Sequence, residues 1–201
     1  MKRLSCTTCL RAQSSCICRW ITPTAHASQV LILQHPSEVT QAKGSARLLH
    51  LSLQRSLMVT GETFDTQSLE ALLTAPHQRA VLLYPDHPQD TAIDIMPPPV
   101  LAPAALQNPA HVRLVVLDGT WRKSRKMLYL NPLLQQLPRL SLHNVPPSRY
   151  SIRVAHKPHQ LSTLEATCAA LAQIEGSAAP FAPLLAAFDG FVAQQSAYSP
   201  R

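Results

Sequence analysis

The chain contains one continuous aliphatic run that ends on a carboxylate. Residues 112–117 (VRLVVL) have strand length and are too uniformly apolar for a surface strand, so they predict a strand buried on both faces of a sheet. Asp118 ends this run, and Gly119 supplies a tight turn that lets the backbone approach a ligand. Because ligands of open α/β sheets bind at the carboxyl ends of the strands, we expect the functional site at Asp118.

The residues after this turn predict a helix with an unusual charge distribution. Thr120 is expected to cap a helix that begins at Trp121. Four cations lie in the first turns of this helix, namely Arg122, Lys123, Arg125 and Lys126. The helix dipole disfavours positive charge there, so we expect an anionic partner. One interpretation is a pocket with a carboxylate and an aromatic ring inside and a phosphate-attracting rim outside. The alternative is a capped helix with a solvated basic face and a tryptophan in the core.

The charge balance bears on the class of partner. Lys and Arg number 18 against 11 Asp and Glu, which gives a net charge of +7 at neutral pH. A basic excess favours a polyanionic partner, and nucleic acid is preferred over membrane because no basic amphipathic helix with a broad apolar face is evident. A basic protein without such a partner is the alternative. No secretion signal or membrane span is recognisable, so we expect a cytoplasmic location and no membrane partner.

Four cysteines near the N-terminus have the pattern C-x2-C-x6-C-x-C, formed by Cys6, Cys9, Cys16 and Cys18. A disulfide framework is not expected in a cytoplasmic chain. Four thiolates at this spacing suit a structural, tetrahedral zinc ion, with an iron–sulfur cluster or redox cysteines as alternatives. Residues 1–20 are therefore predicted to form a small zinc knuckle. Cys168, which lies in an alanine-rich helix, is interpreted as a core residue.

Strand and helix patterns alternate along the rest of the chain. Strands are predicted at 28–34, 79–84 and 137–142, helical spacing occurs at 43–58, and helices are predicted at 162–174 and 181–195. Ser162 and Glu165 form a capping box at the start of the first of these two helices. The alternation predicts a mostly parallel α/β sheet flanked by helices.

Side chains outside the central strand are weaker candidates. His35 and Glu38 follow a predicted strand and can touch a ligand there, although a single histidine is more often structural. In the loop 146–153, Tyr150 can stack on a base and Arg153 can bind a carboxylate or phosphate. The acidic residues of the proline-rich segment 85–109 are interpreted as surface residues without a chemical role.

Five motifs, in this order along the chain, resemble the DTW-domain family. They are QHPSE at 34–38, LLYP at 82–85, DGTW at 118–121, SRYSIR at 148–153 and LSTLEA at 161–166, and the four N-terminal cysteines accompany them. The resemblance implies that residues 21–201 form one SPOUT-like α/β domain, which has a knot in its C-terminal part. It also implies binding of S-adenosylmethionine. The knot is implied by the resemblance alone.

The bacterial members of that family are tRNA-uridine aminocarboxypropyltransferases. The resemblance implies transfer of the 3-amino-3-carboxypropyl group from S-adenosylmethionine to ring nitrogen 3 of a uridine in the tRNA variable loop, with release of methylthioadenosine. It implies tRNA as the partner and no obligate protein partner. As a hypothesis, Asp118 is the general base, made more basic by the apolar surroundings of Leu117 and Trp121.

The remaining site residues are assigned on the same basis. Trp121 is expected to stack on the uracil or to face the sulfonium, and Thr120 to position the loop or contact the cofactor. The expected S-adenosylmethionine contacts are Leu117, Gly119, Leu142, Ser148, Tyr150 and Arg153. The four cations of the basic helix, Arg122, Lys123, Arg125 and Lys126, are expected to bind the tRNA backbone.

Two other functions remain open on the sequence. One is a different S-adenosylmethionine-dependent RNA modification, either methylation or aminocarboxypropylation of rRNA. The other is a non-catalytic zinc-knuckle RNA-binding protein in which DGTW is only a turn. Thermal stabilisation by S-adenosylmethionine separates an enzyme from the binding protein, because a ligand of the native state raises the melting temperature.

Overall fold

The structure is a computed structural model that describes residues 4–85, 97–143, 145–148, 150 and 161–198. Strands and helices alternate along the chain, as the sequence predicts. The strands are β1 (Gln29–Gln34), β2 (Ser56–Thr60), β3 (Arg79–Leu83), β4 (Val112–Asp118) and β5 (Arg139–Leu140). The helices are α1 (Ala46–Ser52), α2 (Thr66–Leu73), α3 (Trp121–Leu130), α4 (Pro132–Gln135), α5 (Thr163–Glu175) and α6 (Ala182–Ala197).

All five strands lie parallel in one sheet with the order β2-β1-β4-β3-β5. The aliphatic strand β4 is therefore central, and β1 and β3 pair with its two sides. In the register of β1 and β4, Gln34 is the partner of Asp118. The carboxyl ends of the two strands therefore place two polar side chains next to each other.

Helices cover both faces of the sheet, which explains why β4 reads as an unbroken apolar run. Val30, Ile32, Leu114 and Val116 belong to one core with α1, α5 and α6. The alternate strand residues, such as Leu31, belong to a second core with α2, α3 and α4. The mostly parallel α/β sheet flanked by helices is thus confirmed.

The structure departs from the helical interpretation of residues 43–58. Helix α1 ends at Ser52, and β2 begins at Ser56. Because β2 is an edge strand paired only with β1, its side chains are partly exposed, and Leu57 is 48% exposed. The burial pattern of β2 therefore shows neither the regular alternation of a half-buried strand nor the continuous burial of a central strand.

Two smaller differences concern neighbouring elements. Helix α2 was not expected from the sequence, and the Asp65 carboxylate caps it by accepting a hydrogen bond from the Ser68 backbone. The strand expected over 137–142 is reduced to Arg139 and Leu140. It pairs only with the last residues of β3, so few of its backbone groups belong to the sheet.

The cysteine segment packs on the main core. Cys9 and Ile17 are buried in the same cluster as α1, α5 and α6. The Trp20 ring lies against Gly190 of α6, where it leaves no room for a Cβ atom, and its indole N–H donates to Gln194. Among the described helices, none combines the length and the hydropathy needed to cross a bilayer.

Candidate active site

Asp118 is buried at the carboxyl end of the central strand, with a fractional exposure of 3%. Its Oδ2 atom accepts a hydrogen bond of 2.9 Å from the Gln34 amide, and its Oδ1 atom accepts one of 2.7 Å from the Thr163 hydroxyl. Gln34 ends β1, and Thr163 is the first residue of α5. The carboxylate therefore joins two strands and the N-terminus of a helix.

The surroundings of Asp118 are more polar than the sequence hypothesis assumed. Both hydrogen bonds are donated to the carboxylate, and donated hydrogen bonds favour its charged form. The positive end of the α5 dipole adds to this effect. Trp121, which was expected to enclose the carboxylate, is instead 48% exposed.

The N-terminus of α5 is held by the capping box that the sequence predicts. The Ser162 hydroxyl accepts from the Glu165 backbone, and the Glu165 carboxylate accepts from the Ser162 backbone at 2.8 Å. The same Glu165 oxygen also accepts a hydrogen bond of 2.8 Å from the hydroxyl of Ser148, a predicted cofactor contact. Glu165 therefore links the helix start to the loop that carries Ser148.

Tyr150, another predicted cofactor contact, is buried next to this loop. Its backbone N–H donates to the Ser148 hydroxyl at 3.1 Å, and its own hydroxyl donates to the Lys43 carbonyl. Its ring packs against Phe188 with a centroid distance of 5.4 Å. The Tyr150 hydroxyl is thus engaged with the main chain of the loop that precedes α1.

The anionic partner expected for the basic helix is partly built into the protein. Thr120 caps α3 as predicted, since its hydroxyl accepts from the Lys123 backbone at 3.4 Å. The Lys123 ammonium pairs with the buried Glu38 carboxylate at 2.7 Å, and the Lys126 ammonium pairs with Glu62 at 2.9 Å. Two of the four predicted phosphate ligands therefore already face carboxylates.

His35 lies beside this ion-pair network in a defined tautomer. The Ser37 backbone N–H donates to His35 Nδ1 at 3.1 Å, so Nδ1 is an acceptor and the ring proton is on Nε2. His35 Nε2 then donates to the Glu62 carboxylate at 2.8 Å. The hydrogen bonds from Lys126 and His35 lower the pKa of Glu62. Glu62 could not be singled out from the sequence, because it follows β2, which was not predicted.

An aromatic pair stands at the start of α3. The Trp121 ring meets the Tyr84 ring edge to face, with a centroid distance of 5.6 Å. The guanidinium of Arg139, which is 4% exposed, lies 5.2 Å from the centre of the Tyr84 ring. Burial raises the pKa of the Tyr84 hydroxyl. Arg139, the first residue of β5, is a buried cation that the sequence did not single out.

The other predicted site residues differ in their burial. Leu117 is buried in the second core, Gly119 is half-buried, and Leu142 packs against the first core. Arg153 lies outside the described residues. A cleft of about 480 Å³ lies at the opposite edge of the sheet, where Arg79 begins β3.

The four N-terminal cysteines form a metal-binding arrangement. Their sulfur atoms all lie within 4.8 Å of one another, and the Cys6–Cys18 and Cys9–Cys16 sulfur pairs are 3.5 and 3.7 Å apart. Tetrahedral zinc with Zn–S bonds of about 2.3 Å requires sulfur separations of about 3.8 Å, so the donor set fits this ion. All four cysteines are free thiols rather than disulfides.

The titration of these thiols agrees with a need for a cation. Backbone N–H groups of Cys9 and Thr8 lower the pKa of Cys6 to about 6, whereas burial raises the pKa of Cys18 to about 12. The protein alone therefore favours one thiolate and disfavours another. A metal ion that binds thiolates would hold all of them in the deprotonated form.

Comparison with known proteins places these features in a family. The DTW domain matches residues 3–196. The chain is 30% identical over 186 residues to tRNA-uridine aminocarboxypropyltransferase 2 of Drosophila melanogaster, covering 87% of the chain and 68% of that protein. It is 26% identical over 180 residues to the Mus musculus protein of the same name, covering 87% and 57%.

A plant relative matches over a shorter region. The chain is 24% identical over 136 residues to tRNA-uridine aminocarboxypropyltransferase A of Arabidopsis thaliana, covering 63% of the chain and 51% of that protein. The matches thus span between 51% and 68% of the lengths of these three relatives. No solved structure matches the chain.

Proposed function

The chain belongs to the DTW-domain family, and on that premise we propose that it is a tRNA-uridine aminocarboxypropyltransferase. It moves the 3-amino-3-carboxypropyl group of S-adenosylmethionine to ring nitrogen 3 of a uridine in the tRNA variable loop. The names of the relatives support the reaction class. The observation that carries the proposal is the buried Asp118 carboxylate at the carboxyl end of the central strand, where α/β sheets bind their ligands.

The proposed reaction is a displacement at carbon. Asp118 accepts the proton from N3 of the uracil, and the nitrogen electron pair forms a bond to the chain carbon attached to the sulfonium. The bond from that carbon to sulfur breaks, its electron pair stays on sulfur, and methylthioadenosine leaves as a neutral thioether. Three carbons are attached to the sulfonium, so placement decides which one reacts.

The contacts of Asp118 support a contribution through its position in such a step. Gln34 and Thr163 hold both oxygens of the carboxylate, so its orientation is set before a substrate binds. The same hydrogen bonds make it a weaker base than a carboxylate in purely apolar surroundings. We therefore propose that Asp118 acts as a general base mainly because its carboxylate is held in a fixed orientation, and less because its basicity is raised.

The S-adenosylmethionine site is proposed around the start of α5. Gly119 follows Asp118 directly, and Ser148 and Tyr150 are joined to α5 through Glu165. Leu117, Leu142 and Arg153 complete the proposed set. The SPOUT-like knot is part of the same proposal. The parallel sheet supports it, and residues 151–160 lie outside the described residues.

The metal and RNA assignments follow from the same family premise. We assign zinc to the four cysteines, where it stabilises the N-terminal knuckle of residues 1–20 against the catalytic domain of residues 21–201. Arg122, which is exposed, is the preferred tRNA ligand of the four cations, because Lys123 and Lys126 already face Glu38 and Glu62. The cytoplasmic location remains a prediction.

The test uses S-adenosylmethionine labelled either in the methyl group or in the aminocarboxypropyl chain. The protein is incubated with unmodified total tRNA, and the nucleosides are analysed by mass spectrometry. Chain label on uridine with release of methylthioadenosine is the expected result. Methyl label on the RNA would support the same S-adenosylmethionine site but show that the reaction is a methyl transfer. No label from either donor would favour the RNA-binding protein.

A further inference from the structure

The exposed face of α3 carries a tyrosine that follows three cations. Tyr129 is 51% exposed and follows Lys126 by three positions, Arg125 by four and Arg122 by seven. Residues at these spacings lie on the same side of a helix. The buried residues of α3, which are Ser124, Met127 and Leu128, lie on the opposite side. The chain thus places an aromatic ring at the C-terminal end of a basic helix face.

Among the described residues, the structural contact of Tyr129 is made by its backbone, whose carbonyl accepts a hydrogen bond of 3.2 Å from the Gln135 amide. Its ring belongs to neither apolar core, and its hydroxyl has no hydrogen-bond partner within the described ranges. A single exposed aromatic residue needs no explanation by itself. The cations around this one make it informative, because single-stranded nucleic acids are bound by aromatic rings that stack on bases within a basic surface.

The cations on this face remain accessible to a polyanion. Arg122 is exposed and has no ion-pair partner among the residues that the structure describes. Lys126 pairs with Glu62 but is still 57% exposed. Each can approach a phosphate oxygen while the Tyr129 ring contacts a base. The face therefore offers both kinds of contact that a single strand provides.

We propose that this face of α3 is a stacking surface for unpaired bases of the RNA, with Tyr129 as the aromatic platform. The inference rests on the proposed function for the identity of the RNA, and it specifies the form in which that RNA is bound. The bases of a duplex are stacked on each other and unavailable to a tyrosine ring, whereas loop bases can be splayed out on aromatic side chains.

The position of Tyr129 relative to the candidate active site agrees with this role. Trp121 begins α3 beside Thr120 and Asp118, and Tyr129 lies eight residues later. At the helical rise of 1.5 Å per residue, the two rings are separated by about 12 Å along the helix. A strand that follows α3 can thus place one base on Tyr129 and present a neighbouring nucleotide to the site.

The experiment measures binding of a single-stranded RNA oligonucleotide and of a duplex of the same sequence, over a series of salt concentrations and without S-adenosylmethionine. Tyr129→Ala is expected to weaken single-strand binding about 5- to 100-fold with an unchanged salt slope. Duplex binding is expected to stay constant, and Tyr129→Phe to bind as the unmodified protein does. Arg122→Gln is expected to reduce the salt slope by about 0.7 per lost phosphate contact.

Tyr198→Ala is the matched control, because Tyr198 is 53% exposed and lies on a different helix end. It is expected to leave binding unchanged. The inference is overturned if Tyr129→Ala leaves single-strand binding unchanged or weakens duplex binding equally. Because the assay needs no turnover, it separates the two proposals: base stacking without aminocarboxypropyl transfer contradicts only the proposed function, and transfer without an effect of Tyr129 contradicts only this inference.

Discussion

Arg11 and Tyr150 bind consecutive carbonyl groups of one loop. The Arg11 guanidinium donates to the carbonyls of Ala42 and Gly44, and the Tyr150 hydroxyl donates to the Lys43 carbonyl between them. Arg11 comes from the cysteine segment, and Tyr150 from the predicted cofactor-binding loop. The cysteine segment and the candidate active site therefore meet on the same few backbone groups.

Contacts on both sides of this loop extend the connection. The next residue, Ser45, accepts a hydrogen bond of 3.3 Å from the Leu164 backbone at the start of α5. On the cysteine side, the Arg47 guanidinium donates to the Thr8 carbonyl at 2.7 Å. Loss of order in the cysteine segment is thus expected to reach the helix terminus that holds Asp118.

Replacing Arg11 tests this connection. Arg11→Ala removes two hydrogen bonds from a charged donor and the contact with the Phe191 ring at 5.2 Å, so we expect a loss of about 1.5–3 kcal/mol in unfolding free energy. We also expect weaker S-adenosylmethionine binding, because Tyr150 loses a fixed partner. Urea denaturation and calorimetric titration measure the two effects.

Arg19→Ala is the control for this variant. Arg19 lies in the same segment and stacks on the Trp20 ring at 4.8 Å, but it is exposed. It is expected to change stability by less than about 1 kcal/mol and to leave ligand binding unchanged. Equal effects of the two substitutions would show that Arg11 has no special role in joining the segment to the site.

Metal removal is expected to expose four thiols and leave the fifth protected. In the zinc-loaded protein the four N-terminal cysteines are ligands, whereas after chelation Cys6, with its pKa lowered to about 6, is largely thiolate at neutral pH. Cys168 is buried, and burial raises its pKa to about 12. Chromogenic thiol titration of the native protein should therefore detect Cys6 first after chelation, the buried Cys9 and the less acidic Cys18 more slowly, and Cys168 only in denaturant.

The same experiment reports whether the metal stabilises the fold. Because Cys9 and Ile17 are part of the main core, chelation should lower the melting temperature of the whole chain in one transition. Zinc binding requires deprotonated thiols, so acidification should release the metal. An unchanged melting temperature after chelation would contradict the structural role.

Glu62 should give stability a defined pH dependence. Hydrogen bonds from Lys126 and His35 lower its pKa from the ordinary value of 4.5. Such a group contributes stability that is present above its unfolded pKa and is lost as the pH falls through its lower, folded pKa. The urea midpoint of the Glu62→Gln variant should lie below that of the unmodified protein at pH 6, and the difference should close in acid. A difference that stays constant with pH would contradict this assignment.

The sequence predicts the parts of the site that depend on local structure. The buried strand ending at Asp118, the Thr120 cap and the Ser162 capping box are all set by residues close in the chain. The hydrogen-bond partners of Asp118 are distant in the chain, so they depend on strand register and helix packing and could not be predicted from local sequence. Gln34 ends β1 as Asp118 ends β4, and that shared position is the signal that could have paired them.

The role of Asp118 is tested by two substitutions of nearly unchanged shape. Asp118→Asn removes the charge and the proton acceptor, so we expect turnover to fall by at least about 100-fold, the lower range for loss of a general base, while S-adenosylmethionine still binds. Thr163→Val removes one hydrogen bond to the carboxylate and leaves the acceptor in place. It should cost about 1.5–3 kcal/mol of stability, with a smaller loss of turnover.

The comparison of the two variants separates a chemical role from an architectural one. If Asp118 only joined β1, β4 and α5, both variants would lose stability, S-adenosylmethionine affinity and turnover in proportion. If it accepts the proton, Asp118→Asn loses turnover far beyond its loss of stability. Raising the pH should then restore part of the turnover of Asp118→Asn, because hydroxide in solution can remove the imide proton that the side chain no longer accepts, whereas Thr163→Val should gain no such recovery.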